Sequence, residues 1–426
     1  MKIFLDTIGC RLNQSEIEAM ARQFRAAGHA IVATAGEADL AVVNTCTVTA
    51  AAASDSRAAI RRAKRQGAQG VIATGCWATL EPQRAAGLPG VTRIVPNPKK
   101  DSLVADLLGL PQDFIDLEPL ARQRLPGLRG RTRAFVKVQD GCENRCTFCI
   151  TTVARGRGRS RPVAQVLADV HSALEGGAQE IVLTGVHLGS WGRDLEPRRP
   201  LADLVAALLA GTDVPRLRLS SLEPWDLEAG FFGLWSEARL CPHLHLPLQS
   251  GSASVLRRMA RNTTPEKFAD LLAAARAAIP DLAVTTDVIV GFPGESEAEF
   301  VETLDYVERM RFAGGHVFSY SERPGTAAAH LDGQVPHALR KERNAALQAV
   351  LSRAGLDYRR AFVGRTLPVL WEATDRLSDA GWQLEGLSGN YLRLSAAAPE
   401  PRWNRIDRVR VETVTDEGLA GTILAD

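Results

Sequence analysis

Three apolar runs near the start of the chain each end on a cysteine. "MKIFLDTIGC", "ADLAVVNTC" and "AQGVIATGC" deliver Cys10, Cys46 and Cys76. Short apolar runs bounded by turn residues read as buried strands. Helical patterns lie between them. "NQSEIEAMARQFRAAG" sets Ile17, Met20, Ala21 and Phe24 on one face, with Gly28 as a stop signal. "SDSRAAIRRAKRQG" is expected to start with Ser54 as its N-cap and to end at Gly67. Strand, helix, strand, helix, strand implies a parallel α/β sheet with right-handed crossovers. Sites in such sheets form outside the carboxyl ends of the strands. Topology therefore gathers Cys10, Cys46 and Cys76 at one edge, although they are distant in sequence. Three unrelated buried thiols are the alternative, but three at equivalent topological positions favour a shared thiolate site.

Seven cysteines in 426 residues, with no secretory signal pattern at the N-terminus, argue against a disulfide framework and for metal use. No apolar run approaches the roughly 18 residues of a membrane span. A cytoplasmic location and no membrane partner are expected. The formal net charge of +2 makes no global demand for a nucleic-acid partner. Charge is local instead. From Arg129 to Arg161, eight arginines and one lysine face only Asp140 and Glu143. A solvated face is one reading of such a run. Phosphate contact by Arg155, Arg157, Arg159 and Arg161 is the other, because the run brackets the next motif.

That motif is "VKVQDGCENRCTFCITT", in which Cys142, Cys146 and Cys149 form Cys-x3-Cys-x2-Cys just after the strand "RAFVKVQ". Three thiolates from one loop suit three irons of a cubane cluster, leaving the fourth iron open to a small molecule. A structural cluster or a structural zinc site would use a fourth protein ligand, and neither Cys nor His follows Cys149 for twenty residues. The spacing matches the cluster motif of radical S-adenosylmethionine (SAM) enzymes. Six strand-like runs, "RAFVKVQ", "EIVLTGV", "RLRLSSL", "LHLPLQ", "AVTTDVIVGF" and "GGHVFSY", then alternate mostly with amphipathic helices. They predict a partial (β/α)6 barrel with functional residues at its C-terminal strand ends.

The chain resembles the radical SAM methylthiotransferases over nearly its whole length. "NTCTVT", "GCENRCTFC", "ARGRGRSRP", "TGVHLGSWGRDL", "HLHLPLQSGS" and "TDVIVGFPGE" carry the resemblance. "NTCTVT", "GVHLGSWG" and "FSYSERPGT" look most like the branch that modifies threonylcarbamoyladenosine in tRNA. Two departures, Thr152-Val153 after the third motif cysteine and Trp77 after Cys76, touch no ligand. The resemblance implies replacement of the C2 hydrogen of a modified adenine by a methylthio group. It implies two [4Fe-4S] clusters, one on Cys142, Cys146 and Cys149 with SAM, the other on Cys10, Cys46 and Cys76. It also implies a tRNA substrate, a reducing electron donor and a sulfur donor. C2 carries no leaving group and no acidic hydrogen, so radical chemistry is required, and a cofactor must supply it.

Further residues follow from position. Thr184, Gly185 and Val186 occupy the place where such barrels bind the SAM amino group. Ser220, Ser221 and Glu223 are placed for the SAM ribose or amino acid part. Gln249 closes the fourth strand over the same mouth, and Ile289 to Gly291 are placed against the adenine. Arg193, Ser319, Ser321 and Arg323 are rim donors for the extra carboxylate of the modified base. His187, His243 and His245 read as rim or interior side chains. From about Gly364, alternating strand patterns suggest a small antiparallel β-barrel resembling the RNA-binding TRAM module, with Tyr391 and Trp382 as stacking candidates. The expected organisation is an α/β domain at 1–108, a linker at 109–130, the barrel at 131–362 and the TRAM-like barrel at 363–426. Three rivals remain: the same chemistry on isopentenyladenosine or on a ribosomal protein, a radical SAM enzyme whose N-terminal cluster only relays electrons, and a zinc-dependent, non-catalytic RNA-binding protein.

Overall fold

The computed structural model describes residues 1–111, 132–378 and 381–425. Most of the expected linker 109–130 lies outside the described residues. The N-terminal region runs β1 (Lys2–Thr7), α1 (Arg11–Ala26), β2 (Ala30–Ile31), β3 (Leu40–Thr45), α2 (Ala50–Arg65), β4 (Gly70–Gly75), α3 (Cys76–Leu80), α4 (Pro82–Ala86), β5 (Val91–Val95) and α5 (Leu103–Leu108). Its sheet is parallel in the order β2-β1-β3-β4-β5. The apolar face of α1 is the expected one: Ile17, Met20, Ala21 and Phe24 are buried against Ile3, Leu5, Val42 and Ile72. Burial of each large side chain contributes about 1.5–3 kcal/mol. Helix α2 covers the other face with Ala53, Ala59, Ile60 and Ala63. It begins earlier than Ser54. Thr49 is the cap, its hydroxyl accepting from the Ala52 N–H at 3.1 Å. The intervening alanines are strong helix formers, so the helix extends back to the first residue able to cap it. The strand order reverses between β1 and β3, and Cys10 and Cys46 follow those two strands. They flank the switch point where open α/β sheets place ligands.

The middle region runs β6 (Arg133–Lys137), β7 (Gln139–Asp140), α6 (Thr151–Arg155), β8 (Arg159–Ser160), α7 (Val163–Glu175), β9 (Glu180–Thr184), α8 (Leu201–Gly211), β10 (Arg216–Leu219), β11 (His243–His245), α9 (Ala253–Arg258), α10 (Pro265–Ala278), β12 (Ala283–Val290), α11 (Glu297–Met310), β13 (Gly314–Ser319) and α12 (His337–Arg360). Strands β10-β9-β6 and β11-β12-β13 form two parallel sheets. Bridges at Leu217–Leu240 and Ser221–His245 join them into one curved wall. This is the expected six-stranded partial barrel, with β6 and β13 as its edges among the described residues. Side chains alternate across it. Ile181, Leu183, Leu217, Leu219, Leu244, Leu246, Val284, Val288 and Val290 pack outward in the shared hydrophobic core with the helices. Glu180, Arg218, His243, His245, Asp287 and His316 therefore face the lumen.

The C-terminal strands β14 (Thr366–Ser378), β15 (Gly381–Ser388), β16 (Arg393–Ala398), β17 (Ile406–Val414) and β18 (Leu419–Ile423) close into a barrel in the order β14-β15-β16-β18-β17. Trp371 fills its core, and Trp382 packs against that core half-buried. The turn Leu387–Tyr391 seals the N-terminal end of the larger barrel. Arg216 donates to the Leu387 carbonyl at 2.8 Å and Arg218 to that of Gly389 at 2.9 Å, while Glu180 holds the Arg218 Nε at 2.6 Å. Tyr391 is not the RNA platform expected of it. Its ring stacks on His243 at 4.3 Å, and its hydroxyl accepts from Arg11 at 2.6 Å. Tyr391 sits at positive φ beyond the end of β15, which turns it into the domain junction rather than onto the barrel face.

Candidate active site with two cysteine sets

Glycine precedes Cys10, Cys76 and Cys142, and in each case it has positive φ: 110° at Gly9, 95° at Gly75 and 75° at Gly141. A Cβ at Gly9 would stand 2.8 Å from the Cys46 Sγ, and one at Gly141 would stand 1.9 Å from the Arg157 carbonyl oxygen. Only glycine permits these turns. Cys10 and Cys76 lie near enough to Cys46 to act on its thiol. Burial pushes the Cys46 thiol up to about 11, and the neighbouring Cys10 and Cys76 add to the rise. Cys146 is also pushed to about 11, first by burial, with Arg261 opposing and Cys149 adding. Such crowded thiols ionise when a cationic centre takes them, which fits both sets to an iron–sulfur cluster. Among the described residues no three His, Cys, Asp or Glu side chains converge closely enough for a single metal ion. A cluster demands less convergence, because each thiolate meets its own iron.

The motif loop is strapped to the barrel mouth. Thr147 N–H bonds the Met259 carbonyl at 3.0 Å, and the Cys142 N–H bonds that of Gly156 at 3.0 Å. Gln139 braces it from below, its amide donating to the Gly141 carbonyl at 2.8 Å and its oxygen accepting from the His187 N–H at 2.9 Å. His187 stands 3.7 Å from the Cys142 Sγ and 2.5 Å from Asp226. Burial opposes its charged form, but Asp226 and Cys142 outweigh it and raise the imidazole to about 9. Arg261 lies 3.7 Å from the Cys146 Sγ and over the Trp225 ring at 4.4 Å.

The two sets are joined through residues that sequence reading missed. Asn97 donates to the Cys76 Sγ at 3.5 Å and to the Ala154 carbonyl, just beyond the motif, at 2.8 Å. Asn13 lies 3.8 Å from the Cys10 Sγ, holds the Ile8 and Thr45 carbonyls, and accepts from Arg155 at 2.8 Å. Arg155 is buried. It pairs with Glu16 at 2.9 Å and Asp140 at 2.8 Å, so it is an interdomain clamp and not the phosphate ligand expected from its place in a basic run. The one available signal was the short, Gly-terminated helix α6, which turns that single arginine inward.

The remaining expectations divide. Arg157 is exposed, and Arg159 stands 3.7 Å from Asp140; both remain on the surface. Arg161 is committed to Asp169 at 2.5 Å and to the Lys137 carbonyl. Gly185 and Val186 sit half-buried at the mouth, while the Thr184 carbonyl accepts from Val138. Ser220 is buried with its hydroxyl free of hydrogen bonds among the described residues, and Ser221 is exposed. Both Glu223 oxygens accept from Arg261, at 3.1 and 2.6 Å, so Glu223 positions that arginine. Gln249, at φ 71°, joins β12 through its backbone. Ile289 packs against the buried cluster of Val255, Met259 and Phe292, as does Phe148 of the motif. The space that Gly291 leaves is taken by Arg340, whose Cγ would lie 2.1 Å from an added Cβ. Among the rim donors, Arg193 is paired with Asp226. Arg323 keeps its Nε and Nη2 buried and free of hydrogen bonds among the described residues.

Residues 136–307 match the radical SAM superfamily, and residues 2–95 match Uncharacterized protein family UPF0004. The threonylcarbamoyladenosine tRNA methylthiotransferase MtaB of Bacillus subtilis is 35% identical over 95% of this chain and 92% of its own. That of Thermotoga maritima is 36% identical over 97% and 95%. The tRNA-2-methylthio-N(6)-dimethylallyladenosine synthase of Maricaulis maris is 31% identical over 99% and 97%. Among solved structures, the radical SAM methyltransferase TsrM from Kitasatospora setae shares the fold, with a TM-score of 0.58 at 16% identity over 77% of this chain and 75% of that one. Identity of this level over nearly the full length, with both domain types matched, makes the chain a member of the radical SAM methylthiotransferase family.

Proposed function

We propose that this enzyme converts N6-threonylcarbamoyladenosine beside the tRNA anticodon to its 2-methylthio derivative, using SAM and two [4Fe-4S] clusters. The observation that carries the reading is the pair of three-thiol sets, one on each side of a domain junction, linked by Asn97 and Arg155. Cys142, Cys146 and Cys149 would hold the cluster that binds SAM, and Cys10, Cys46 and Cys76 the second. When bound, these groups supply the radical and the sulfur that side chains cannot. The chain's own part is placement. Gln139, His187 and Arg261 orient the motif loop. Gly185, Val186, Ser220 and Ile289 line the mouth for SAM. Arg157 and Arg159 meet tRNA phosphates. The domains are taken as 1–108, 131–362 and 363–426, the location as the cytoplasm, and a reducing electron donor and a sulfur donor as partners. Among the described residues no helix is long and apolar enough to cross a membrane.

The test is turnover by reconstituted enzyme on two tRNAs, one bearing threonylcarbamoyladenosine and one isopentenyladenosine, with the same SAM and reductant. Methylthiolation of the first is expected. Methylthiolation of the second alone would support the reading favoured by the Maricaulis maris relative. Modification of neither, with a ribosomal protein modified instead, would move the enzyme out of RNA chemistry.

A further inference from the structure

Among the described residues strand β13 is an edge of the partial barrel, paired with β12 alone. Two lumen-facing residues on it alternate at i and i+2. Phe318 is 40% exposed, and the His316 side chain is 76% exposed. Their ring centroids are 6.1 Å apart. Each has a partner directly beside it on β12: Ile289 beside Phe318, and Asp287 beside His316. Phe318 and Ile289 thus form an apolar step nearer the mouth, and Ile289 packs against the same buried cluster as Phe148 of the Cys142 motif. One layer deeper, Asp287 stands 3.4 Å from the His316 Nδ1 and 3.3 Å from the His245 Nε2. His245 is itself fixed by Thr285 at 2.9 Å. Asp287 Oδ1 is buried without a properly aligned hydrogen bond. The Asp287 carboxylate beside it raises the His316 imidazole above its ordinary range, burial opposing.

We infer that β13 carries the nucleobase subsite, with Phe318 stacking on the adenine and His316, held by Asp287, donating to the carboxylate of its N6 substituent. This rests on the proposed function and deepens it. An exposed aromatic ring accepts the face of any base. A base lying on Phe318 with C2 toward the mouth directs its N6 substituent down the strand. Two residues of strand span about 6.6 Å, the reach of a threonylcarbamoyl group. The next lumen-facing side chain there is His316, an N–H donor whose second nitrogen is the one Asp287 engages. A charge-assisted bond discriminates strongly for an anion, and an apolar substituent would leave the His–Asp pair partly desolvated without compensation.

The experiment uses reconstituted full-length enzyme and three anticodon stem-loops: one with threonylcarbamoyladenosine, one with the same base as its primary amide, and one with isopentenyladenosine. His316→Phe should lower kcat/KM on the acid at least about tenfold, mainly through KM, and on the amide by less than about threefold. His316→Gln, which keeps a donor, should lie between. SAM cleavage without RNA should be unchanged in both variants. Equal loss on acid and amide, no loss on either, or loss of RNA-free SAM cleavage in both variants would overturn the assignment. Wild-type turnover of the isopentenyl stem-loop alone would instead refute the proposed function, and this assignment with it. Unchanged turnover of the acid by His316→Phe refutes only the assignment.

Discussion

Replacing Arg155 with methionine removes a charge from the domain junction while keeping most of the side chain's length. Arg155 makes three bonds of 2.8–2.9 Å, to Glu16, Asp140 and Asn13. Breaking a buried pair from one side usually costs about 3–5 kcal/mol, because the orphaned charge stays buried. Here the two acids are not fully orphaned. Lys100 remains 2.7 Å from Glu16, and Lys137 remains 3.9 Å from Glu16 and 3.7 Å from Asp140. The lower end of that range, about 3 kcal/mol, is therefore expected. Hydrogen exchange of amides in α1 and α6 reads this directly as local opening. Three kcal/mol corresponds to roughly a hundredfold faster exchange there. Lysine at the same position keeps the charge but not the fork, so it should recover only part of the protection. The competing reading, phosphate contact, predicts unchanged exchange and a salt dependence of tRNA binding flattened by about 0.7–0.9 in log–log slope. That result would refute the clamp.

The two cysteine sets should separate in metal content. Wild-type enzyme should reconstitute with about eight irons per chain, and alanine at Cys10, Cys46 and Cys76, or at Cys142, Cys146 and Cys149, should leave about four. Only the second triple variant should lose reductive SAM cleavage; full iron in the first would show that the N-terminal thiols hold nothing. On the surface, Arg157→Ala and Arg159→Ala should each flatten the salt slope of tRNA binding by about 0.7–0.9, whereas Arg161→Ala should leave it unchanged because Asp169 occupies that guanidinium. An unchanged slope in all three would place the RNA elsewhere.

What the sequence disclosed is what depends on local pattern. The 3.6-residue spacing of Ile17, Met20, Ala21 and Phe24 gave a helix face, and the cysteines after β1, β3 and β4 gave one sheet edge, because parallel topology leaves strand ends together. What it hid depends on where a polar side chain points once domains dock. Arg155 and Arg157 look alike in "ARGRGRSRP", yet one has a 2% exposed side chain and the other 91%. The difference arises because Arg155 is the last residue of α6 and Arg157 lies beyond Gly156, whose φ of 72° turns the chain outward. Tyr391 was misread for the same reason. An aromatic residue in a short strand-and-turn pattern signals a ring to be covered, but not whether base, core or neighbouring domain covers it. Asn13 and Asn97 gave no signal, since asparagine near a turn ordinarily reads as turn chemistry.

The composition of the junction then has a reason beyond stability. Apolar side chains of equal volume would hold two domains together at least as well as a buried network of Glu16, Lys100, Lys137, Asp140 and Arg155. Apolar contact, however, is nearly indifferent to a small rotation of one surface over the other, whereas a guanidinium fork satisfied by three separate acceptors tolerates very little. Each cysteine set hangs from this junction by a short path: Cys10 through Asn13 to Arg155, and Cys142 through Gly141, whose N–H is held by Asp140 at 2.8 Å. A rotation that broke the fork would shift one set of thiols against the other. In the reaction proposed above, hydrogen leaves and sulfur arrives at the same carbon, so both centres would have to reach that carbon in one bound geometry, and small misplacements are costly in rate. The buried charges thus fix an orientation that the proposed chemistry requires and that hydrophobic packing alone would leave soft.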